Sequence, residues 1–388
     1  MNTFDLDAPI ELPPLPFFAY DKVIIAFSGG KDSLACLLYV LFVLCIPAEK
    51  VELWHHCVDG HTVPGIDDER PLMDWPCTLA YCRAVAKAFG VPLYLSWKSG
   101  GFEQEMLRDD EETAPCFFET PDGLRKAGGN SGKRGTRRKF PQTSSDLSTR
   151  WCSSYLKISP STTALCNDSR FLGINTLFIT GERAEESTAR ASYLQNEIHR
   201  ADPRKSPPQY SKHIEWLIVR SHDADFRETV AFLGYVSVIR RWYAKKQRHI
   251  DHWRPVLRWK VKQIWAIIKF FLVNPHPAYR LGWSRLSCMC CIFNPKEMWA
   301  TLLKIARDYI NRIYNYEIEF DSTIRPPKKN GVTKEDVISL ATSTLPLDVD
   351  PKDVAAAMSR EFNEPVILEE GEWVLPSGAF SSLNPGPT

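Results

Sequence analysis

The sequence predicts an α/β fold, a parallel sheet flanked by helices with a helical C-terminal region. Three observations carry that expectation. The run Val23-Ile24-Ile25-Ala26-Phe27 is apolar throughout, as strands covered on both faces are. A Ser28-Gly29-Gly30 turn and an apolar helix-forming stretch follow it directly. Strand-like and helix-like segments then alternate, the pattern of parallel strands joined by crossover helices.

In chain order, residues 1–20 are proline-rich and aperiodic, and read as an extended arm. The first strand gives way to a helix from Asp32 to about Cys45, ended by Pro47. Val51 to Val58 is the second strand, closed by Asp59-Gly60. Trp75 to Phe89 has helical spacing and stops at Gly90, and Pro92 to Ser96 is the third strand. A basic, glycine-rich stretch at about 121–141 interrupts the rhythm. It reads as a mobile loop, either a solvated linker or a lid whose arginines close over an anion. Asn175 to Thr180 resumes the pattern as a strand ending at Gly181. From Phe226 to Phe271 the chain reads as mostly helical, and 301–375 as a small segment with two short helical stretches. Residues 376–388 read as a disordered tail. The main domain is expected over 21–300.

Composition narrows the class. The chain has 388 residues, 44% of them hydrophobic, enough for a large core and too apolar for a disordered protein. A net charge of +1 argues against binding nucleic acid by bulk charge. The apolar run Leu34 to Ile46 is shorter than the roughly 18 residues that span a bilayer, so no membrane association is expected. The acidic N-terminus does not resemble a secretory signal. Eleven unevenly spaced cysteines do not suggest a secreted disulfide framework, and a reducing cytoplasm is the expected location.

The segment Ser28-Gly29-Gly30-Lys31-Asp32-Ser33 is the first chemical signal. Between a buried strand and a helix, its glycines let the backbone approach a ligand. The helix start adds N–H groups and a positive dipole end. Two hydroxyls and the Lys31 charge complete a site suited to pyrophosphate or sulfate. The spacing is too short for the loop of kinase-like nucleotide hydrolases. Arg183 and Arg190 follow a strand's C-terminal end, where open α/β sheets bind ligands and where arginine suits paired phosphate oxygens. Arg190 would otherwise pair with Glu186 at i, i+4. Cys288-Met289-Cys290-Cys291 contains a C-x-x-C pair compatible with zinc, a redox disulfide or an iron–sulfur cluster. Cys36, Cys45, Cys57, Cys77, Cys82, Cys116 and Cys166 show no trusted ligand pairing.

These residues resemble a known family, the PP-loop ATP pyrophosphatases, whose hallmark is SGGxDS. Gly181-Glu182-Arg183 through Glu186-Ser187 to Arg190 is similar to a segment of its phosphoadenylylsulfate reductase branch. Arg150-Trp151-Cys152 with Leu156-Lys157 and Pro160 resembles another. Pro255 to Trp259, His276-Pro277-x-Tyr279, and Arg285-x-x-Cys288-x-x-Cys291 resemble its later blocks. The resemblance covers residues 23 to about 295. It implies an adenine-nucleotide alpha-hydrolase-like fold that binds ATP and Mg²⁺ through Ser28, Gly29, Gly30, Lys31, Asp32, Ser33 and Gly181, with adenosine gripped near Asp59. Lys31, Asp32, Ser33, Arg183 and Arg190 are the implied catalytic set. It further implies a [4Fe–4S] cluster on Cys152, Cys288 and Cys291, with Cys290 as fourth ligand or the fourth iron open.

Sulfonucleotide reductases use a nucleophilic cysteine near the C-terminus, and no cysteine follows Cys291. The resemblance is accordingly strongest to the ATP pyrophosphatase subunits of DNA phosphorothioation systems. These activate a backbone oxygen by adenylylation for replacement with sulfur. That implies a cysteine desulfurase as sulfur source, other phosphorothioation subunits, and DNA bound within a complex. The alternatives are a phosphoadenylylsulfate or adenylylsulfate reductase, a tRNA thiolation enzyme and a non-catalytic adaptor. The basic loop and the block Arg240 to Arg248, with Trp242 and Tyr243, are expected to face nucleic acid, since cations meet phosphates and aromatics stack on bases.

Overall fold

The structure is a computed structural model that describes residues 15–129, 133–144, 146–205, 247–286, 288–325 and 335–381. Ten short strands form among the described residues: β1 (Lys22–Ala26), β2 (Val51–His56), β3 (Leu93–Lys98), β4 (Glu111–Glu112), β5 (Cys116–Thr120), β6 (Gly123–Ala127), β7 (Arg134–Gly135), β8 (Asn175–Ile179), β9 (Asn196–Ile198) and β10 (His249–Trp253). Eight of them build one sheet in the order β6-β5-β3-β2-β1-β8-β10-β9, while β4 and β7 pair separately. The five central strands, β3 through β10, run parallel. Antiparallel strands finish both edges, β5 and β6 on one side and β9 on the other.

Alternate residues of the central strands enter different cores, as a pleated strand requires. Val23, Ile25, Leu53, Leu177 and Ile179 pack under helix α1 (Lys31–Leu38) and the helix Val261–Phe270. Ile24, Trp54, Phe178 and Ile250 face the other way, against Ala164 and Leu165 of the helix Ser159–Asn167. The result is a three-layer arrangement. A third core lies beyond these layers. Trp75, Phe102, Trp151, Trp283 and Cys290 pack there with Trp299, Ile310, Leu340 and Ala357 of the C-terminal helices.

The first three strands and the strand before Gly181 form where the sequence places them. The helix over Trp75–Phe89 forms as α2 (Thr78–Ala88). The apolar run after Lys31 widens from α1 into a π-helical turn, Tyr39–Val43, before Cys45 adopts a left-handed φ of 54° ahead of Pro47.

Several expectations are corrected. The basic stretch at 121–141 is not a free loop in its described part, because β6 pairs in full with β5. Alternation with Phe117 and Phe118 on β5 supplies a ladder that local composition does not reveal. The stretch read as helical to Phe271 contains β10, drawn into the sheet beside β8. Residues 301–325 and 335–375 hold helices Arg307–Glu319, Val337–Thr342 and Pro351–Met358. A further helix, Lys296–Ile305, straddles the boundary expected at 300. The start of the expected tail is seated, since Gly378 donates to the Tyr279 carbonyl (2.9 Å) and Trp265 Nε1 to that of Ala379 (3.1 Å). Tyr20, at the end of the expected arm, is fully buried. No helix among the described residues is long and apolar enough to cross a membrane.

Candidate functional site

Sheet order determines where the site lies. β1 has β2 on one side and β8 on the other, and chain connections leave in opposite directions from this point. Ligands of open α/β sheets bind in the crevice at such a switch. The loop Phe27–Gly30 occupies it, and α1 begins at once with Lys31. Gly29 holds φ at +77°, a conformation that disfavours any side chain. Gly181, at the end of β8, lies against the first turn of α1, where a Cβ would stand 2.7 Å from the Asp32 carbonyl carbon. Both glycines are thus required by the loop's shape.

Hydroxyls tie the loop together. Ser33 Oγ donates to the Gly30 carbonyl at 2.9 Å, and Gly30 N–H donates to Ser28 Oγ at 3.3 Å. The Lys31 amide donates to Tyr279 Oη at 2.7 Å, which anchors the helix start to a distant segment. The Lys31 ammonium is buried, 3.1 Å from Asp32 Oδ2. Burial lowers its pKa to about 8 against the attraction of Asp32, and the cations Arg183 and Arg285 add to the lowering. Asp32 is pulled the other way. Burial favours its neutral form, but Lys31 and Arg183 outweigh it and keep the carboxylate ionised.

Arg183 donates Nε to Asp32 at 2.6 Å and NH1 to Glu185 at 2.6 Å. It therefore braces the loop rather than facing open space. Arg190 does pair with Glu186 at i, i+4, yet it also lines the cleft described below. The opposite oxygen of Glu186 holds Arg285 NH2 at 3.1 Å. One carboxylate thus carries two guanidiniums, and the pair keeps a surplus positive charge.

Beside them opens a cleft of about 760 Å³, within the range of small-molecule sites, which Gly29, Gly30, Lys31, Asp32, Ser33, Gly181 and Arg183 do not line. Ser28, Arg190 and Arg285 line it, and so do Cys152, Cys288, Cys291 and Lys157. The cysteines come from a short helix, Trp151–Ser153, and from the loop after Arg285. The Lys157 ammonium lies among them, its pKa held up chiefly by Cys288, and its charge in turn offsets part of the burial that raises the Cys288 and Cys152 thiols. Soft thiol donors beside a half-buried cation suit a thiolate-ligated cluster in chemistry. They are not drawn into a chelating set: no group of three or more His, Cys, Asp or Glu among the described residues is placed to hold a metal ion.

Cys290 departs from expectation. It is fully buried in the third core, its amide bonded to the Met73 carbonyl at 3.0 Å, and does not line the cleft. Asp59 departs as well. Its carboxylate accepts the amides of Met73 (3.0 Å) and Asp74 (2.8 Å), so it closes a turn instead of facing the cleft. Burial raises its pKa to about 7, though those amides oppose the shift. Arg248 is also inward: its Nε donates to the Leu165 carbonyl at 2.8 Å. The remainder of the Arg240 block, up to Lys246, lies outside the described residues.

The site also contains residues not singled out from the sequence as functional. Arg285, Lys157 and Tyr279 stood inside the quoted motifs, so their positions were available as signals. His55 and His56 had none. His55 Nδ1 donates to the Phe27 carbonyl (2.9 Å), and His56 Nδ1 lies 2.7 Å from Ser96 Oγ. Burial holds both neutral, His56 with a pKa near 3.

No family model matches the chain. An uncharacterized 37.8 kDa protein in the gpa 5' region of Escherichia phage 186 is 26% identical over 111 residues. The match covers 28% of this chain and 30% of that protein, so it spans under a third of either.

Proposed function

We propose that the chain is a PP-loop ATP pyrophosphatase that activates a nucleic-acid backbone oxygen, in DNA, by adenylylation for replacement with sulfur. One observation carries this reading. Ser28, at the start of the Ser28–Ser33 loop, and the three cysteines of the resemblance line one cleft beside the switch point of a mostly parallel sheet.

In this reading the acceptor oxygen attacks the α-phosphorus of ATP and pyrophosphate leaves. The loop amides, the N-terminal end of α1 and Lys31 receive the departing charge, and Arg190 and Arg285 add positive potential. With a pKa of about 8, Lys31 is cationic at neutral pH. Asp32 gives one oxygen to Lys31 and the other to Arg183, so Mg²⁺ would travel on the nucleotide's phosphates rather than on this carboxylate. A [4Fe–4S] cluster on Cys152, Cys288 and Cys291 would supply an iron open to a terminal sulfur. Cys290, turned into the core, is left out of that ligand set. A cysteine desulfurase would deliver persulfide sulfur, and a thiol reductant would supply the two electrons that release it as hydrosulfide. Hydrosulfide would attack the activated DNA phosphorus as the bond to the bridging oxygen breaks and that oxygen leaves on AMP. Other phosphorothioation subunits would present the DNA.

The test is product analysis. Purified protein with ATP and Mg²⁺ is expected to release AMP and pyrophosphate, and Lys31→Ala to lose roughly 100-fold or more in rate. In cells carrying the partner proteins, mass spectrometry of digested DNA is expected to find sulfur-containing dinucleotides. ADP as the main product overturns the reading.

A further inference from the structure

The cleft extends beyond what the proposed ATP chemistry uses. Ser28 lies at the end of β1, between an end of the cleft at β2 (His55, His56, Val58, Met73) and one at β8 and β10. Ala26 and Phe178, on one face of adjacent strands, line the second end. The helix Ser159–Asn167 packs on that face and brings Ser161 and Thr162 to the cleft, and β9 with its flanks brings Tyr193 and His199.

Two features of this arm point to a ligand. The first is aromatic. Phe178, His199 and His252 form a cluster, with ring centroids 4.8 Å apart for Phe178–His199 and 5.7 Å for the two histidines. Burial keeps both imidazoles neutral, His199 with a pKa near 3, so they offer flat uncharged faces. The second is polar. Ser161 is only 4% exposed, and its Oγ meets no hydrogen-bonding group of the protein; Thr162 Oγ1 is likewise buried without a partner. Buried hydroxyls are ordinarily satisfied. Of the two exposed cations that line the cleft nearby, Arg200 and Lys205, Lys205 pairs with Glu197, which lines the cleft together with Glu182. Flat faces, unmet hydroxyls and the exposed Arg200 match elements with which proteins hold single-stranded nucleic acid.

We propose that this arm is a nucleobase subsite that receives one base of the acceptor strand, stacked against the Phe178–His199–His252 cluster and hydrogen-bonded by Ser161 and Thr162. The inference rests on the reading of the chain as an enzyme acting on a nucleic-acid backbone. It adds that the strand is engaged through an extruded base, so that its phosphate lies toward Ser28 and the cysteines. An adenine-sized ring from ATP itself has the same chemistry, and the experiment separates the two sources.

The full-length protein is titrated with a fluorescent single-stranded DNA and with an abasic deoxyribose-phosphate strand of equal length. Wild type is expected to bind the intact strand roughly tenfold more tightly, the scale of one stacked base. Ser161→Phe, which fills the arm, is expected to abolish that preference, and the milder Ser161→Ala to reduce it. Equal binding of the two strands by wild type overturns the subsite. Parallel loss of ATP binding in Ser161→Phe overturns it too, by placing the adenine of ATP in the arm. The two readings fail separately. Base preference without pyrophosphate release keeps the arm and removes the activation chemistry, whereas pyrophosphate release without base preference removes the arm alone.

Discussion

At the residue scale, the behaviour of Lys31 follows from its burial. Folded Lys31 releases its proton near pH 8, whereas an unfolded lysine keeps its proton to about 10.4. Between these values the unfolded chain binds more protons. The penalty for burying the charge is therefore present in full below pH 8 and eases as pH rises toward 10.4. In the proposed ATP reaction activity moves oppositely, since only the cation would help to hold phosphate. kcat/KM for ATP is expected to fall as pH rises through about 8, and Lys31→Arg to extend the plateau to higher pH. A flat wild-type profile to pH 10 would remove Lys31 from phosphate binding. Asp59 illustrates the opposite outcome for a residue chosen from sequence. Its two backbone donors make it a turn residue, so Asp59→Asn is expected to leave ATP turnover within about twofold. It should instead change stability between pH 4 and 7. There the wild type loses stability as pH rises, because burial favours the protonated carboxyl in the folded state.

At the element scale, the basic stretch shows how pairing overrides composition. Arg137, its side chain 9% exposed, lies over Trp151 and Tyr155, 4.7 and 4.6 Å from their ring centroids, and donates to Glu105 through Nε (2.9 Å) and Nη2 (2.8 Å). Glu105 is itself buried, and losing this partner would leave its charge less compensated. Arg138 bonds Glu319 on a C-terminal helix, at the surface. Arg137→Gln is thus expected to destabilise by about 2–4 kcal/mol, visible as a melting transition lowered by several degrees. Arg134→Gln, 63% exposed in its side chain, should be near neutral. Equal melting temperatures for the two variants would show that Arg137 is the free cation its local sequence suggests. The same override makes β10 a strand. Ile250 and Trp253 each reach a different core only when the segment lies beside β8.

At the scale of the whole molecule, the cleft is assembled from distant stretches: Ser28, Cys152 with Lys157, Arg190, and Arg285 with Cys288 and Cys291. Anaerobically purified protein is expected to be brown with about four irons per chain. Cys152→Ser, Cys288→Ser and Cys291→Ser should each bleach it. Cys290→Ser should keep the colour and instead lose about 1–3 kcal/mol of stability, because its hydroxyl would be buried in an apolar core. A colourless protein that carries zinc and retains full activity would refute the cluster.

By itself the sequence determined four of the five central strands, all but β10, together with the glycine loop and the helix behind it. Each of these is a local pattern: an unbroken apolar run, a turn that needs glycine, a helix end set by proline. It also marked Cys152, Cys288, Cys291 and Arg190, which line the cleft. Only the tertiary structure decided which marked residues face that cleft. Adjacent cysteines Cys290 and Cys291 part company because the third core claims one of them, and Arg183 braces the loop because Asp32 and Glu185 lie within reach. His199, His252 and Ser161 carry no local signal at all. Their rings and hydroxyl meet only because β8, β10, β9 and one helix are brought to a single sheet face, and a contact between residues far apart in the chain is a property of topology rather than of spacing.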